Sequence, residues 1–204
     1  MAKRGRPRTF ERTEALRVAM SLFWEQGYEG TSISELAAAM GINSPSLYAA
    51  FGSKEALFRE AVALYDKTES DATATALAEP TARRSMEALL HNNVVAYTEP
   101  GTPRGCMIVL AANTGKTKNE EVREYVAEYR RATITMVADR LRRGVADGDV
   151  PPDADIAAIS AFFTTVLHGL SIQAHDGASR EELQQVVDVA MAAWDGMVRQ
   201  TSVV

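Results

Sequence analysis

The sequence predicts an all-α fold of nine helices. Three observations carry that reading. Alanine is abundant, Gly and Pro cluster at intervals, and no stretch alternates apolar and polar residues for long. A chain of 204 residues spans one or two domains and buries a core without disulfides or metals.

The first helix is expected from about Thr9 to Gln26. Ala15, Val18, Ala19, Leu22 and Phe23 fall at helical spacing on its inner face, and Gly27 follows as a C-cap. The second begins at Ser32, which pairs with Glu35 as a capping box; Leu36, Ala37 and Met40 continue the apolar stripe to Gly41. The third runs from Ser44 to Phe51, with Asn43 as N-cap and Pro45 tolerated in its first turn. Ser53 caps a long fourth helix with Ala56, Leu57, Ala61, Leu64 and Tyr65 inward.

The fifth spans Thr81 to Glu99 and stops at Pro100-Gly101-Thr102-Pro103. The sixth, about Arg104 to Asn113, is uncharged from Cys106 to Ala112, so it should be buried. The seventh runs from Asn119 to Asp147, with Glu120 and Glu121 in the favourable first turn. Gly148 and Pro151-Pro152 separate it from the eighth, Asp153 to His175. The ninth starts at Ser179, a second capping box with Glu182, and ends near Arg199.

Composition narrows the function. Hydrophobic residues make up 46% and charged residues 24%, as in ordinary globular proteins. A single cysteine excludes a disulfide framework and any multi-cysteine metal site. No apolar run approaches the roughly 18–20 residues of a membrane span, so no membrane partner is expected. The basic N-terminus runs into Phe10–Glu14 rather than an apolar stretch, which argues against an export signal and for the cytoplasm.

The net charge is −5, but unevenly placed. Residues 1–17 carry six basic and two acidic side chains, whereas residues 61–204 carry 14 basic and 20 acidic. A basic end on an acidic body points to a nucleic-acid-facing arm.

The second and third helices are joined by Met40-Gly41-Ile42-Asn43, the short glycine-bearing turn of a helix-turn-helix. Such a pair suits DNA, because one helix enters the major groove while its partner braces it across the backbone. Ser44, Pro45, Ser46, Tyr48 and Ala49 offer small, apolar and aromatic groups to base edges; Leu47 and Phe51 should face the core. Lys54, in the first turn of the fourth helix, is placed as a phosphate clamp. Thr31 and Ser32 are placed to contact phosphate with hydroxyls and N–H groups.

Residues 9–65 resemble the DNA-binding domain of the TetR/AcrR family of bacterial repressors. The resemblance lies in Ala19, Leu22-Phe23, Gly27-Tyr28, Thr31-Ser32-Ile33, Leu36-Ala37 and Met40-Gly41-Ile42. It continues through Leu47-Tyr48, Phe51, Lys54-Glu55 and Leu57-Phe58. Asn43 stands where the family has Ser and still caps. Ala49 and Ala50 stand where a bulky or histidine side chain is common, and alanine offers only a methyl contact, for example to thymine.

The resemblance implies a TetR-like fold: a helix-turn-helix domain at 9–52, a connecting helix at 53–78, and a ligand-binding and dimerisation domain within 53–204. It implies a homodimer on a palindromic double-stranded operator, released by a small-molecule effector. It also implies pairing through the last two helices. The residues agree, since Ile156, Ile159, Phe162-Phe163, Val166-Leu167 and Leu170 form a broad apolar surface, as do Leu183, Val186-Val187, Ala190, Trp194 and Met197.

Residues 1–8 read as a disordered basic arm. Lys3-Arg4-Gly5-Arg6-Pro7-Arg8 resembles the core of an AT-hook, with Arg4 and Arg6 entering a narrow minor groove; simple nonspecific attraction is the alternative.

For the effector cavity the sequence offers Met86, Leu90, Asn93, Tyr97, Met107, Leu110, Asn113, Met136, Phe163 and His168, against plain core packing for each. That mix suggests a mostly apolar ligand with one or two hydrogen bonds. Cys106 follows Arg104-Gly105 at a helix start, so a redox- or electrophile-sensing repressor is an alternative to inert burial. His168 and His175, seven residues apart, lie about 10 Å apart along a helix, too far to share a metal. The sequence holds no G-x-S-x-G elbow, Gly-rich phosphate loop or H-E-x-x-H, and no cofactor is expected. A helical interaction module without DNA affinity is the remaining alternative.

Overall fold

A computed structural model describes residues 11–111 and 119–199. The basic arm with Arg4 and Arg6, and the cavity residue Asn113, lie outside the described residues. Among them the chain forms ten α-helices and no strand.

The DNA-facing end consists of α1 (Arg12–Gly30), α2 (Ile33–Ala39) and α3 (Ser44–Phe51). Gly27, at φ 72°, breaks the helical path inside α1, and one further turn follows it. Ser32 and Glu35 close the expected capping box, and Asn43 accepts from the Ser46 N–H at 2.9 Å.

The body consists of α4 (Lys54–Leu77), α5 (Ala82–Tyr97), α6 (Met107–Leu110), α7 (Glu120–Asp147), α8 (Ile156–His175), α9 (Arg180–Ala192) and α10 (Trp194–Arg199). Ser53, Thr81, Asn119, Asp155 and Ser179 cap their helices through side-chain oxygens. Several expected boundaries shift. Helix α6 starts at Met107 behind Cys106 rather than at Arg104, α8 starts behind its cap Asp155 rather than at Asp153, and the last expected helix breaks at Ala193 into α9 and α10.

One further expectation is corrected. By length and composition α8 is apolar enough to cross a membrane, because its twenty residues include no Asp, Glu, Lys or Arg. Ser160, Thr164, His168 and Gln173 interrupt the apolar run, which hid this from a run-length reading. Here the helix packs on α5, α7 and α9 and buries eight of its residues.

Two cores result. The first joins Phe23, Leu36, Leu47, Phe51, Leu57 and Phe58 to Met107, Val122 and Val126. The second gathers Met86, Leu90, Leu141, Phe163, Leu183 and Trp194. Each large side chain fully buried in these cores contributes roughly 1.5–3 kcal/mol relative to exposure. Helix α4 belongs to both, through Leu57–Tyr65 at one end and Ala76 at the other.

Candidate nucleic-acid interface and cavity

On α3, Leu47 and Phe51 are buried while Pro45, Ser46, Tyr48 and Ala49 point outward. Tyr48 is 48% exposed, its ring standing out from a helix of eight residues. Ser44 is half-buried. A small, nearly uncharged surface therefore stands on a braced rod, the shape a major groove admits.

Thr31 is corrected. It is fully buried, and its hydroxyl donates to the Gly27 carbonyl at 2.8 Å, closing the break in α1. The hydroxyl is used internally because Gly27 leaves helical carbonyls without partners. Ser32 is exposed, but its N–H donates to Glu35 and its hydroxyl caps Glu35, so both groups are engaged by the capping box.

Lys54 is half-buried, with its ammonium 4.3 Å from the centre of the Tyr28 ring. Burial lowers its pKa, and the carboxylates of Glu29 and Glu35 oppose that. Tyr28 thus orients the cation beside α2, a partner the sequence reading did not assign.

A cavity of about 420 Å³ lies between α4, α5, α7 and α8. Of the residues expected to line it, Asn93, Tyr97, Cys106, Met136 and His168 do. Met86, Leu90, Met107 and Phe163 do not, because each is fully buried in one of the two cores. Leu110 is half-buried beside Gly105, away from the lining.

The missing wall comes from α4 and α7. Tyr65, Asp66, Glu69, Ser70, Thr73 and Ala74 face Tyr129, Arg130, Ala132 and Thr133. Sequence reasoning sought the cavity on helices five to eight, so it passed over α4 and took only Met136 from α7. A usable signal was present: between Tyr65 and Ala76, α4 buries no apolar side chain, so nothing fills the space beside it.

The lining is chemically mixed. Burial raises the carboxyl pKa values of Asp66 and Glu69. Burial lowers that of Arg130, whose guanidinium donates to the Ile108 carbonyl at 3.1 Å. Burial, then Arg130, lowers that of His168, which favours neutral imidazole. Burial raises the Cys106 thiol, against a hydrogen bond from the Tyr65 hydroxyl. Of the other histidines, His91 pairs with Gln184 and His175 is exposed in the last turn of α8.

Both ends of α4 are tied to α7 around this cavity. At one end Asn119 donates to Glu55 at 3.3 Å, and the Tyr125 hydroxyl donates to the Arg59 carbonyl at 3.2 Å. At the other, Arg143 donates to the Leu77 carbonyl and Arg140 to the Glu79 carbonyl at 3.0 Å.

The expected dimer contacts also divide. Ile159, Leu170, Leu183, Val187, Ala190 and Trp194 are buried within the subunit, because the strongest apolar stripes of α8 and α9 pack on the chain's own α5. Phe162 is exposed and Val166 half-buried. With Ile172, Val186 and Val189, the last 73% exposed, they leave an outward apolar strip that reading did not separate.

Comparison with known proteins agrees with this architecture. Residues 15–61 match the family model described as bacterial regulatory proteins, tetR family, and residues 82–190 match the tetracyclin repressor-like C-terminal domain. The chain is 32% identical over 201 residues to the HTH-type transcriptional repressor ComR of Escherichia coli K12, covering 96% of this chain and 94% of that one. It is 33% identical over 181 residues to the HTH-type transcriptional repressor BdcR of the same strain, covering 88% and 86%. Among solved structures, a cysteine mutant of the TetR family regulator CifR, complexed with 26-base-pair double-strand operator DNA, is 47% identical with a TM-score of 0.89, over 93% of this chain and all of that one. The helix-turn-helix, the all-helical body and these matches together show that the chain belongs to the tetR family of bacterial transcriptional regulators, which bind DNA and are not enzymes.

Proposed function

We propose that the protein is a homodimeric repressor that binds a palindromic operator and releases it when a small molecule enters the cavity between α4 and α7. The observation that carries this reading is the outward face of α3, with Pro45, Ser46, Tyr48 and Ala49 free above a buried Leu47. The 47% identity to a regulator solved on its operator supports it. Tyr48, Lys54 and the hydroxyl hydrogen of Ser32 set the register on phosphates, and Ser44, Pro45, Ser46, Tyr48 and Ala49 reach base edges.

The outward strip of Phe162, Val166, Ile172, Val186 and Val189 is the surface we assign to the partner subunit. Pairing there sets two reading heads about 34–36 Å apart for successive major grooves. The effector is mostly apolar, and it meets the ionisable groups Asp66, Glu69, Arg130 and His168 at the cavity wall. It releases DNA only if it prefers the arrangement in which the heads no longer match the groove spacing. Such a regulator works where bacterial DNA is, in the cytoplasm.

A second reading has a specific observation behind it. The Cys106 thiol lies on the cavity wall, with the hydroxyls of Tyr65 and Tyr97 in hydrogen-bonding reach. Cys106 carries the one thiol among the described lining residues, the group a reactive electrophile in the cavity would alkylate. A Cys106→Ser protein that still releases DNA in response to electrophiles removes this reading.

Genome-wide selection of bound fragments, followed by gel shifts across a salt series, tests the main proposal. A palindromic site should emerge, and affinity should fall steeply with salt in proportion to the phosphates contacted. Binding to no fragment, or a solitary subunit in solution, overturns it and leaves the interaction-module reading.

A further inference from the structure

We propose that Trp24 is the positioning residue through which the cavity wall is read by the DNA-binding helices. The proposal rests on the reading that this cavity controls operator binding.

Trp24 sits in α1, next to Phe23 of the first core. Its indole packs against the edge of that same core, where Tyr65 also belongs. The ring N–H donates to the Gly105 carbonyl at 3.0 Å, and the ring stands edge-on to Tyr65 with centroids 4.9 Å apart. Tyr65 and Cys106, the residue after Gly105, both line the cavity. The indole therefore touches two adjoining parts of the wall, one on α4 and one just before α6.

The Gly105 end of the contact is held firmly. The Gly105 N–H donates to the Tyr97 carbonyl at 3.1 Å, and the Cys106 N–H donates to the Ser171 hydroxyl at 2.8 Å. Arg104 donates to the Ala174 carbonyl at 2.7 Å at the end of α8. Gly105 has φ +79°, and a Cβ there would lie 2.6 Å from the Ser171 carbonyl. Residues 104–106 thus move with α5 and α8.

The Tyr65 end has room to move. A second cleft of about 180 Å³ lies on the Trp24 side, lined by Trp24, Tyr65, Glu69 and Tyr97. The last three also line the main cavity, so one thin wall separates the two spaces. An occupant that displaces Tyr65 drives its ring toward the cleft and the indole. The indole then shifts against a fixed Gly105, and α1 shifts with it. Other ties between α1 and the body, Arg12 to Glu60, Tyr28 to Lys54 and Tyr28 to Ala111, do not involve the cavity lining.

The test uses Cys106, the only thiol in the chain, as the point of entry. Methyl methanethiosulfonate converts it to a methyl disulfide and releases methanesulfinate, placing a small probe on the cavity wall. Operator affinity is measured on the selected duplex before and after modification, with adduct formation followed by mass and folding by thermal melting. The wild-type protein should lose about tenfold in affinity, within the usual range of coupling between sites. Trp24→Phe keeps the ring contact and removes the N–H; unmodified, it should bind the duplex within about threefold of wild type, and modification should change that affinity little. An equal loss in Trp24→Phe overturns the relay alone. Unchanged affinity in fully modified wild-type protein overturns the cavity reading and the relay together. With Trp194→Phe, Trp24 becomes the single tryptophan, and its emission should shift on modification. An emission unchanged by the adduct also overturns the relay.

Discussion

The Thr31 hydroxyl donates to the Gly27 carbonyl at 2.8 Å, so a residue placed by sequence at the DNA backbone instead closes the end of its own helix. Thr31→Val should lower stability by about 1 kcal/mol, the net worth of one such bond. The salt dependence of operator binding should stay as in wild type. A flattened salt slope in a folded Thr31→Val protein would return Thr31 to the phosphate contacts.

Lys54 is oriented by the Tyr28 ring beneath it, within reach of the carboxylate fields of Glu29 and Glu35. Lys54→Ala should weaken binding to all sequences alike and reduce the salt slope by about one. Filter binding across salt with matched and scrambled duplexes checks this. A loss confined to one sequence contradicts the assignment.

Val189 is 73% exposed in the subunit, whereas Leu183 on the same helix is fully buried. Val189→Glu should give monomers that melt as cooperatively as the parent, as seen by light scattering and calorimetry. Leu183→Ala should instead lower stability by about 2–5 kcal/mol. A Val189→Glu protein that remains dimeric removes α9 from the interface.

His168 has a folded-state pKa below its ordinary value, from burial first and then Arg130. The unfolded chain therefore takes up this proton before the folded one. The stability tied to neutral His168 is full above the unfolded pKa of about 6.5 and is lost as pH falls below it. Asp66 and Glu69 line the same cavity with raised pKa values and act in the opposite direction at lower pH, so the comparison is made against His168→Gln. Between pH 7.5 and 5.5 the wild-type melting temperature should fall more than that of the variant. Parallel curves would mean that the folded protein protonates His168 as readily as the unfolded chain does.

Gly105 has no room for a side chain and a positive φ. Gly105→Ala should cost at least about 1–3 kcal/mol, measured by chemical denaturation. A neutral change would mean that residues 104–106 yield readily.

Local chemistry was legible in the sequence wherever neighbours along the chain decide the outcome. Ser32 with Glu35, Asn43, Ser53, Asn119 and Ser179 all cap where their spacing says they should, because a cap is a contact across three residues. The exposed face of α3 was legible for the same reason, since Leu47 and Phe51 fix which side turns inward. Long-range choices were not. Met86, Leu90 and Phe163 are cavity candidates for which core packing is the stronger reading, and the packing of α5 on α8 assigns them to core.

From the chain alone came the helix-turn-helix, its bracing helix, the capped all-helical body and the family resemblance. Those depend on periodicity and on contacts within a turn or two. The fold in three dimensions decided where space remains. It put the cavity against a stretch of α4 that has no apolar stripe, turned Thr31 inward, and left Val189 rather than Leu183 facing out. A void or an uncovered face depends on what fails to arrive from elsewhere in the chain, so the polar stretch of α4 after Tyr65 marks a gap without saying what surrounds it.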